Sequence, residues 1–278
     1  MFIKAHSPFS VIPDAILPDP GLGSETALGP GIPPIAKCHG TLRNRPSLPG
    51  FQSPINTVAL YSRISYTTCM NPPPLSPGAA DALLFDLGRV VIDIDFNKAF
   101  ERWAGHAGCE PANLAERFMR DEIYLRHEKG QITDAEFFAG VRAALGVGLS
   151  DAQLLEGWNA IFTGEMPGIA ALLARAAPRV PLYAFSNTNR AHVEHFSQAY
   201  AGVLGYFREI FLSSAIGLRK PDAVAYDHVV KAIGVPASRI VFFDDLAGNI
   251  EGARARGLTA VHVRSPDDVA RALAALGI

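Results

Sequence analysis

Ala82-Leu83-Leu84-Phe85-Asp86-Leu87-Gly88 is four apolar residues in a row, then a carboxylate and a glycine. A run that is apolar at every position suits a strand buried on both faces, as in a parallel sheet covered by helices. Runs of the same kind recur at Val180 to Phe185, Ile210 to Leu212, Ile240 to Phe243 and Ala260 to Val263. Helical patterns separate them, at Ile169 to Ala176, Arg190 to Ala199, Ala223 to Ile233, Asn249 to Arg256 and Asp267 to Leu276. Such alternation predicts an α/β fold: a doubly wound, Rossmann-like parallel sheet.

The alternation breaks once. Residues 97–165 carry helical periodicity throughout, and Thr133-Asp134-Ala135-Glu136 reads as a capping box that starts one of the helices. An all-helical insert after the first strand is expected to form a cap over the sheet's carboxyl edge. The α/β core is then 80–96 with 166–278. Residues 1–79 hold Pro-Gly clusters at Gly29 to Pro34, Pro72 to Pro74 and Pro77-Gly78, with no sustained apolar period. That composition predicts a disordered extension; translation from Met70 is an equally open reading.

Bulk properties narrow the partners. With 25 basic against 27 acidic residues and a net charge of -2, nothing attracts nucleic acid or an anionic membrane. No apolar run approaches the roughly 18 residues that cross a bilayer, and Pro8 and Pro13 interrupt any signal-like stretch. Cys38, Cys69 and Cys109 are too few and scattered for a disulfide framework or a metal site. The expectation is a soluble cytoplasmic protein whose partner is a small molecule.

In an open parallel sheet, ligands sit beyond the carboxyl ends of the strands. Here those ends carry complementary polar residues: Asp86 after the first strand, Ser186-Asn187 at the second, Arg219-Lys220-Pro221 after the third, and Asp244-Asp245 with Asn249 at the fourth. Asp86, Asp244 and Asp245 on neighbouring strand ends would repel one another unless a hard cation sat among them, and Mg²⁺ shares oxygen ligands readily with phosphate. Ser186 and the amides of the next helix start can hold phosphate oxygens. Lys220 offsets negative charge, and Pro221 suits the first turn of a helix. A carboxylate can attack phosphorus to give an aspartyl-phosphate that water hydrolyses.

In this order, Phe85-Asp86-Leu87-Gly88, Ser186-Asn187-Thr188-Asn189, Arg219-Lys220-Pro221 and Phe242-Phe243-Asp244-Asp245 resemble the motifs of the haloacid dehalogenase-like hydrolase superfamily, in its helical-cap branch. Asp86 to Phe96, His127 to Thr133 and Asp244 to Ala253 are most similar to bacterial α-D-glucose-1-phosphate phosphatases. The phosphatase domain of soluble epoxide hydrolase is a more distant likeness. The resemblance implies Asp86 as nucleophile and Mg²⁺ ligand. It implies the Gly88 carbonyl and Asp245 as further ligands, with Asp244 at the metal centre orienting water or Lys220 beside Asn249. Ser186 and Asn187 would hold the phosphoryl group and Lys220 would neutralise it.

The family's general acid/base is an Asp two residues after the nucleophile, and here that residue is Gly88. Lost acid help favours an easily departing alcohol, such as the anomeric oxygen of glucose 1-phosphate; Asp93, Asp95 and His127 are alternative donors. Phe96, Trp103, Tyr124, Arg126, His127 and Trp158 are the cap candidates to meet a sugar, Phe96 and His127 foremost, although aromatics at helical spacing in a small cap more often build its core. His192, His195 and His228 read as surface or packing residues. The implied function is a Mg²⁺-dependent phosphatase of small phosphomonoesters, sugar phosphates foremost. A metal-free 2-haloacid dehalogenase and a phosphosugar-binding regulatory protein are the alternatives.

Overall fold

A computed structural model describes residues 74–118 and 122–278. Most of the expected Pro/Gly-rich extension, with Cys38 and Cys69, lies outside them; Cys109 is exposed. Strand β1 (Ala82–Phe85) leads to β2 (Ile92–Ile94). Five helices follow: α1 (Asn97–Ala107), α2 (Pro111–Ala115), α3 (Glu122–Glu128), α4 (Asp134–Leu145) and α5 (Asp151–Asn159). Next come β3 (Phe162–Glu165), α6 (Ile169–Ala176), β4 (Leu182–Ser186), α7 (Arg190–Ala199), α8 (Ala201–Leu204), β5 (Glu209–Leu212) and α9 (Ser213–Ile216). The chain closes with α10 (Ala223–Ile233), β6 (Ile240–Asp244), α11 (Ala247–Ala255), β7 (Thr259–His262) and α12 (Pro266–Ala275).

Five strands form a parallel sheet in the order β5-β4-β1-β6-β7, with Phe85 of β1 opposite Ala184 on one side and Phe243 on the other. The chain leaves β1 first toward β4 and later toward β6, so strand order reverses beside β1, where open α/β sheets bind their ligands. Both faces are dry. Leu83, Phe85 and Phe243 pack beneath Leu173 of α6, Phe196 of α7 and Leu273 of α12. Leu84 and Phe242 face Tyr226 of α10 and Ile250 of α11. Packing on the first face already includes Leu75 and Ala79, so ordered structure starts before residue 80.

The helices of the insert have a core of their own around Trp103, Phe137, Leu154 and Trp158. Thr133 caps α4 as read from sequence: its hydroxyl accepts the Glu136 amide, and the Glu136 carboxylate accepts the Thr133 amide. Ser150 and Gln153 do the same for α5. The insert is not helical throughout. Phe162–Glu165 is a strand, pairing antiparallel with β2, so the insert joins the sheet through a two-stranded ribbon. Pro221 also differs from expectation: it follows a cis peptide bond and α10 starts two residues later, at Ala223. Among the described residues no helix is long and apolar enough to cross a membrane.

Candidate active site

Asp86 follows the last residue of β1, and its amide donates to the Phe243 carbonyl of β6 (2.8 Å), which fixes it at the reversal point. Its Oδ1 accepts from the Leu87 amide (2.8 Å) and from Lys220 Nζ (2.8 Å). Lys220 is buried, with Nζ also 2.7 Å from Asp244 Oδ2 and 5.3 and 5.4 Å from the ring centres of Phe185 and Phe242. Two carboxylates and two aromatic faces keep this cation charged inside the protein. Burial alone would pull its pKa down, but Asp244 and Asp86 outweigh that and hold it above the ordinary lysine range.

Asp244 belongs to the expected metal set, and the structure commits both of its oxygens. Oδ1 accepts from the Leu246 amide (2.8 Å) and Asn249 Nδ2 (2.9 Å), and Oδ2 from Lys220 and Asn249 Nδ2 (3.0 Å). It therefore anchors the lysine, with Asn249 as its clamp. Asp245 is half-buried, loosely paired with Arg89 at 3.7 Å.

Oxygens of Asp86, Asp244 and Asp245 lie within 4.8 Å of one another. Burial pushes the Asp86 carboxyl up to about 7, aided by Asp244 and Asp245 and opposed by Lys220. Burial and Asp244 likewise raise Asp245. The site thus holds more negative charge than its lysine balances, and the oxygen donors of Asp86 and Asp245 fit a hard cation such as Mg²⁺. Gly88 lines the same cavity and has only backbone atoms to offer it.

That cavity measures about 480 Å³ and is lined by Asp86, Gly88, Ser186, Lys220 and Asp245 from the sheet side, by Phe96 just ahead of the insert and by Tyr124 within it. Ser186 ends β4, where its backbone pairs with Leu212 of β5; it is buried, and its hydroxyl makes no hydrogen bond among the described residues. Asn187 also lines the cavity, but its amide is tied to the backbone of Lys220: Nδ2 donates to the carbonyl at 2.8 Å, and Oδ1 accepts the amide at 2.9 Å. It holds the lysine loop in place.

The structure brings Asp86, Ser186, Asn187, Lys220, Asp244, Asp245, Gly88 and Phe96 together, but not His127. That imidazole is buried outside the cavity, 2.7 Å from Asp134 and stacked on Phe137 at 4.1 Å. Its helix end packs on the core, so the ring is consumed there. Trp103 and Trp158 stack on each other at 6.2 Å inside the insert, and Arg126 is exposed. Of the alternative proton donors, Asp93 is exposed and accepts the Thr163 hydroxyl (2.9 Å). Asp95 does line the cavity, with Oδ1 taking the amide and side chain of Asn97 at 2.9 Å each.

His192 is the packing residue that the sequence suggests, buried and stacked on Trp158 at 4.6 Å, and it also lines the cavity. Its Nε2 lies 3.0 Å from the Trp158 carbonyl and Nδ1 3.1 Å from Asn189 Nδ2, so the neutral Nε2–H form satisfies both. No local signal could have marked it, because both its wall position and its carbonyl partner come from the insert.

A family model for haloacid dehalogenase-like hydrolases matches residues 79–257. A D-ribitol-5-phosphate phosphatase of Bacteroides thetaiotaomicron is 24% identical over 173 residues, 60% of this chain and 84% of that protein. Drimenol cyclase drtB of Aspergillus calidoustus is 26% identical over 197 residues, 69% of this chain but 35% of the cyclase. The chain spans about a third of the length of the first curated relatives it matches. Among solved structures, a haloacid dehalogenase-family enzyme of Bacteroides thetaiotaomicron in complex with magnesium and inorganic phosphate superposes with a TM-score of 0.60 at 29% identity. The match covers 67% of this chain and 95% of that one.

Proposed function

The chain belongs to the haloacid dehalogenase-like hydrolases, and on that premise we propose that it hydrolyses small phosphomonoesters with the help of Mg²⁺, through an aspartyl-phosphate on Asp86. The observation that carries this reading is the meeting of Asp86, Lys220 and Asp245 with the unbonded Ser186 hydroxyl in one cavity. Two relatives support it: one is a sugar-alcohol phosphate phosphatase, and one binds magnesium with inorganic phosphate.

Asp86 Oδ1 is held by Lys220 and the Leu87 amide, and Oδ2, with no hydrogen bond among the described residues, is the oxygen left to attack. The carboxylate attacks phosphorus and the ester P–O bond breaks, its electron pair passing to the alcohol oxygen, which takes up a proton from water. Water then attacks the same phosphorus, Asp86 is regenerated and inorganic phosphate leaves. Lys220 stays fixed between Asp86 and Asp244 and offsets charge on both nucleophile and phosphoryl group. Ser186 donates to a phosphoryl oxygen. Mg²⁺, held by Asp86, Asp245 and the Gly88 carbonyl, supplies positive charge to the phosphate when bound.

A panel of phosphate esters that includes glucose 1-phosphate, assayed with Mg²⁺ and with chelator, tests this. Phosphate release should require the metal and fall by about 10³-fold or more in Asp86→Asn, the scale on which loss of a nucleophile acts. Activity that survives that substitution, or metal-free release of halide from a 2-haloacid with no ester hydrolysis, overturns it.

A further inference from the structure

We infer that the alcohol half of the substrate is apolar, so that the chamber above Asp86 takes the phosphate of an aryl or prenyl alcohol in preference to a sugar phosphate. This rests on the phosphomonoesterase reading and adds to it the class of leaving group. The walls on the insert side are Ile94, Phe96, Tyr124, Leu125, Ile161 and Phe162. Their side chains are preset. Phe162 stands edge-on to His192 with ring centres 5.0 Å apart and packs on Phe196 at 5.9 Å, and Phe96 meets Trp158 edge-on at 6.0 Å.

Several polar side chains of the same cavity are already engaged, the hydroxyls of Ser186 and Thr188 and the loosely paired Arg89 apart. Asp95 takes Asn97, and Glu128 takes the Arg219 guanidinium at 2.9 Å. The Asn187 amide is closed on the backbone of Lys220, and Asn189 caps α7 and meets the His192 ring. A sugar brings several hydroxyls, each of which loses water on entry and needs a partner in return. The insert-side walls offer mostly carbon, on which a ring or an unsaturated chain gains by burial. For the aryl case Gly88 points the same way. A Cβ built there would lie 3.0 Å from Ile94 Cδ1, so apolar surface covers the place where a side-chain acid would start. An aryl oxygen departs without a proton far more readily than an alkyl one.

Phosphonates separate binding from chemistry. With the full chain and Mg²⁺, benzylphosphonate and geranylphosphonate should inhibit at least tenfold more tightly than methylphosphonate or a hexose phosphonate. The tighter of the first two names the alcohol, aryl or prenyl. In Phe162→Ala that advantage should shrink toward unity while inhibition by methylphosphonate stays as it was; Ile94→Asn gives the same readout from another wall should the first variant fold poorly. A hexose phosphonate that binds as tightly as the benzyl compound, or sugar phosphates hydrolysed with the higher kcat/KM, overturns the apolar leaving group and leaves the phosphatase reading standing. If no ester in the panel releases phosphate, that reading falls and takes this one with it.

Discussion

Gly88 stands where the family motif places a proton donor, and the space beside it is nearly closed. Ile94 Cδ1 would meet a new Cβ at 3.0 Å, but it is the free end of a flexible side chain and can yield by a few tenths of an ångström. Gly88→Asp is therefore expected to fold. The added carboxylic acid should speed simple alkyl phosphates by about 10²-fold, the lower range of general acid help, and aryl phosphates much less, since their leaving groups need no proton. Steady-state kinetics on an alkyl and an aryl ester of the same enzyme read the difference directly. Equal acceleration of both, or none, would mean that position 88 is not where acid catalysis is missing. At this scale the sequence was a good guide to the charged residues, because strand ends in a parallel sheet converge whatever the loops do. It was a mixed guide to rings: of the candidates it offered, Phe96 and Tyr124 reach the cavity while His127, one turn from Tyr124, does not.

Gly157 on α5 shows how closely the insert's helices approach. A Cβ there would stand 2.2 Å from Trp103 Nε1, and that indole is buried, bonded to the Leu154 carbonyl and stacked on Trp158. It has nowhere to go. Replacing a helical glycine by alanine normally gains about 1 kcal/mol, but overpacking a full core costs about 1–3 kcal/mol, and here the second effect wins. Gly157→Ala should lower stability by about 2 kcal/mol in urea unfolding, whereas Gly105→Ala on α1, with open space around it, should be neutral or slightly stabilising. Equal effects of the two would refute the close-packing account. Helices were the legible elements: α6, α7 and α10 begin and end where their apolar periods do. The ribbon of β2 and β3 was not, since Ile92-Asp93-Ile94 is three residues long and its partner, Phe162–Glu165, lies beyond five helices. No local pattern encodes a pairing that depends on where the insert returns.

The sheet domain and the insert are joined by buried polar contacts as well as by the ribbon. Ser213 Oγ lies 2.6 Å from the Glu128 carbonyl oxygen and accepts the Thr188 amide at 2.8 Å; Arg219 pairs with Glu128; and His192 of α7 donates to the Trp158 carbonyl of α5. The last contact carries a pH dependence for the whole molecule. Burial, helped by His127 and His195 and opposed by the bond to Trp158, lowers the His192 pKa from its ordinary 6.5 to about 3. Protonation would also place a second N–H against the Asn189 amide that Nδ1 now accepts. The unfolded chain binds the proton from about pH 6.5 downward, and the folded chain only near pH 3. The unfolded state therefore takes up more protons across that window, and stability falls as pH falls through it, by up to about 1.4 kcal/mol per pH unit. Above pH 6.5 both states are neutral at this residue and the effect vanishes. Urea midpoints of the wild type and of His192→Gln, taken from pH 7 to pH 4, isolate the term, because the carboxylates common to both cancel in the difference. The variant should be the less stable protein at pH 7 and lose less on acidification; parallel slopes would show that His192 takes no part in acid unfolding.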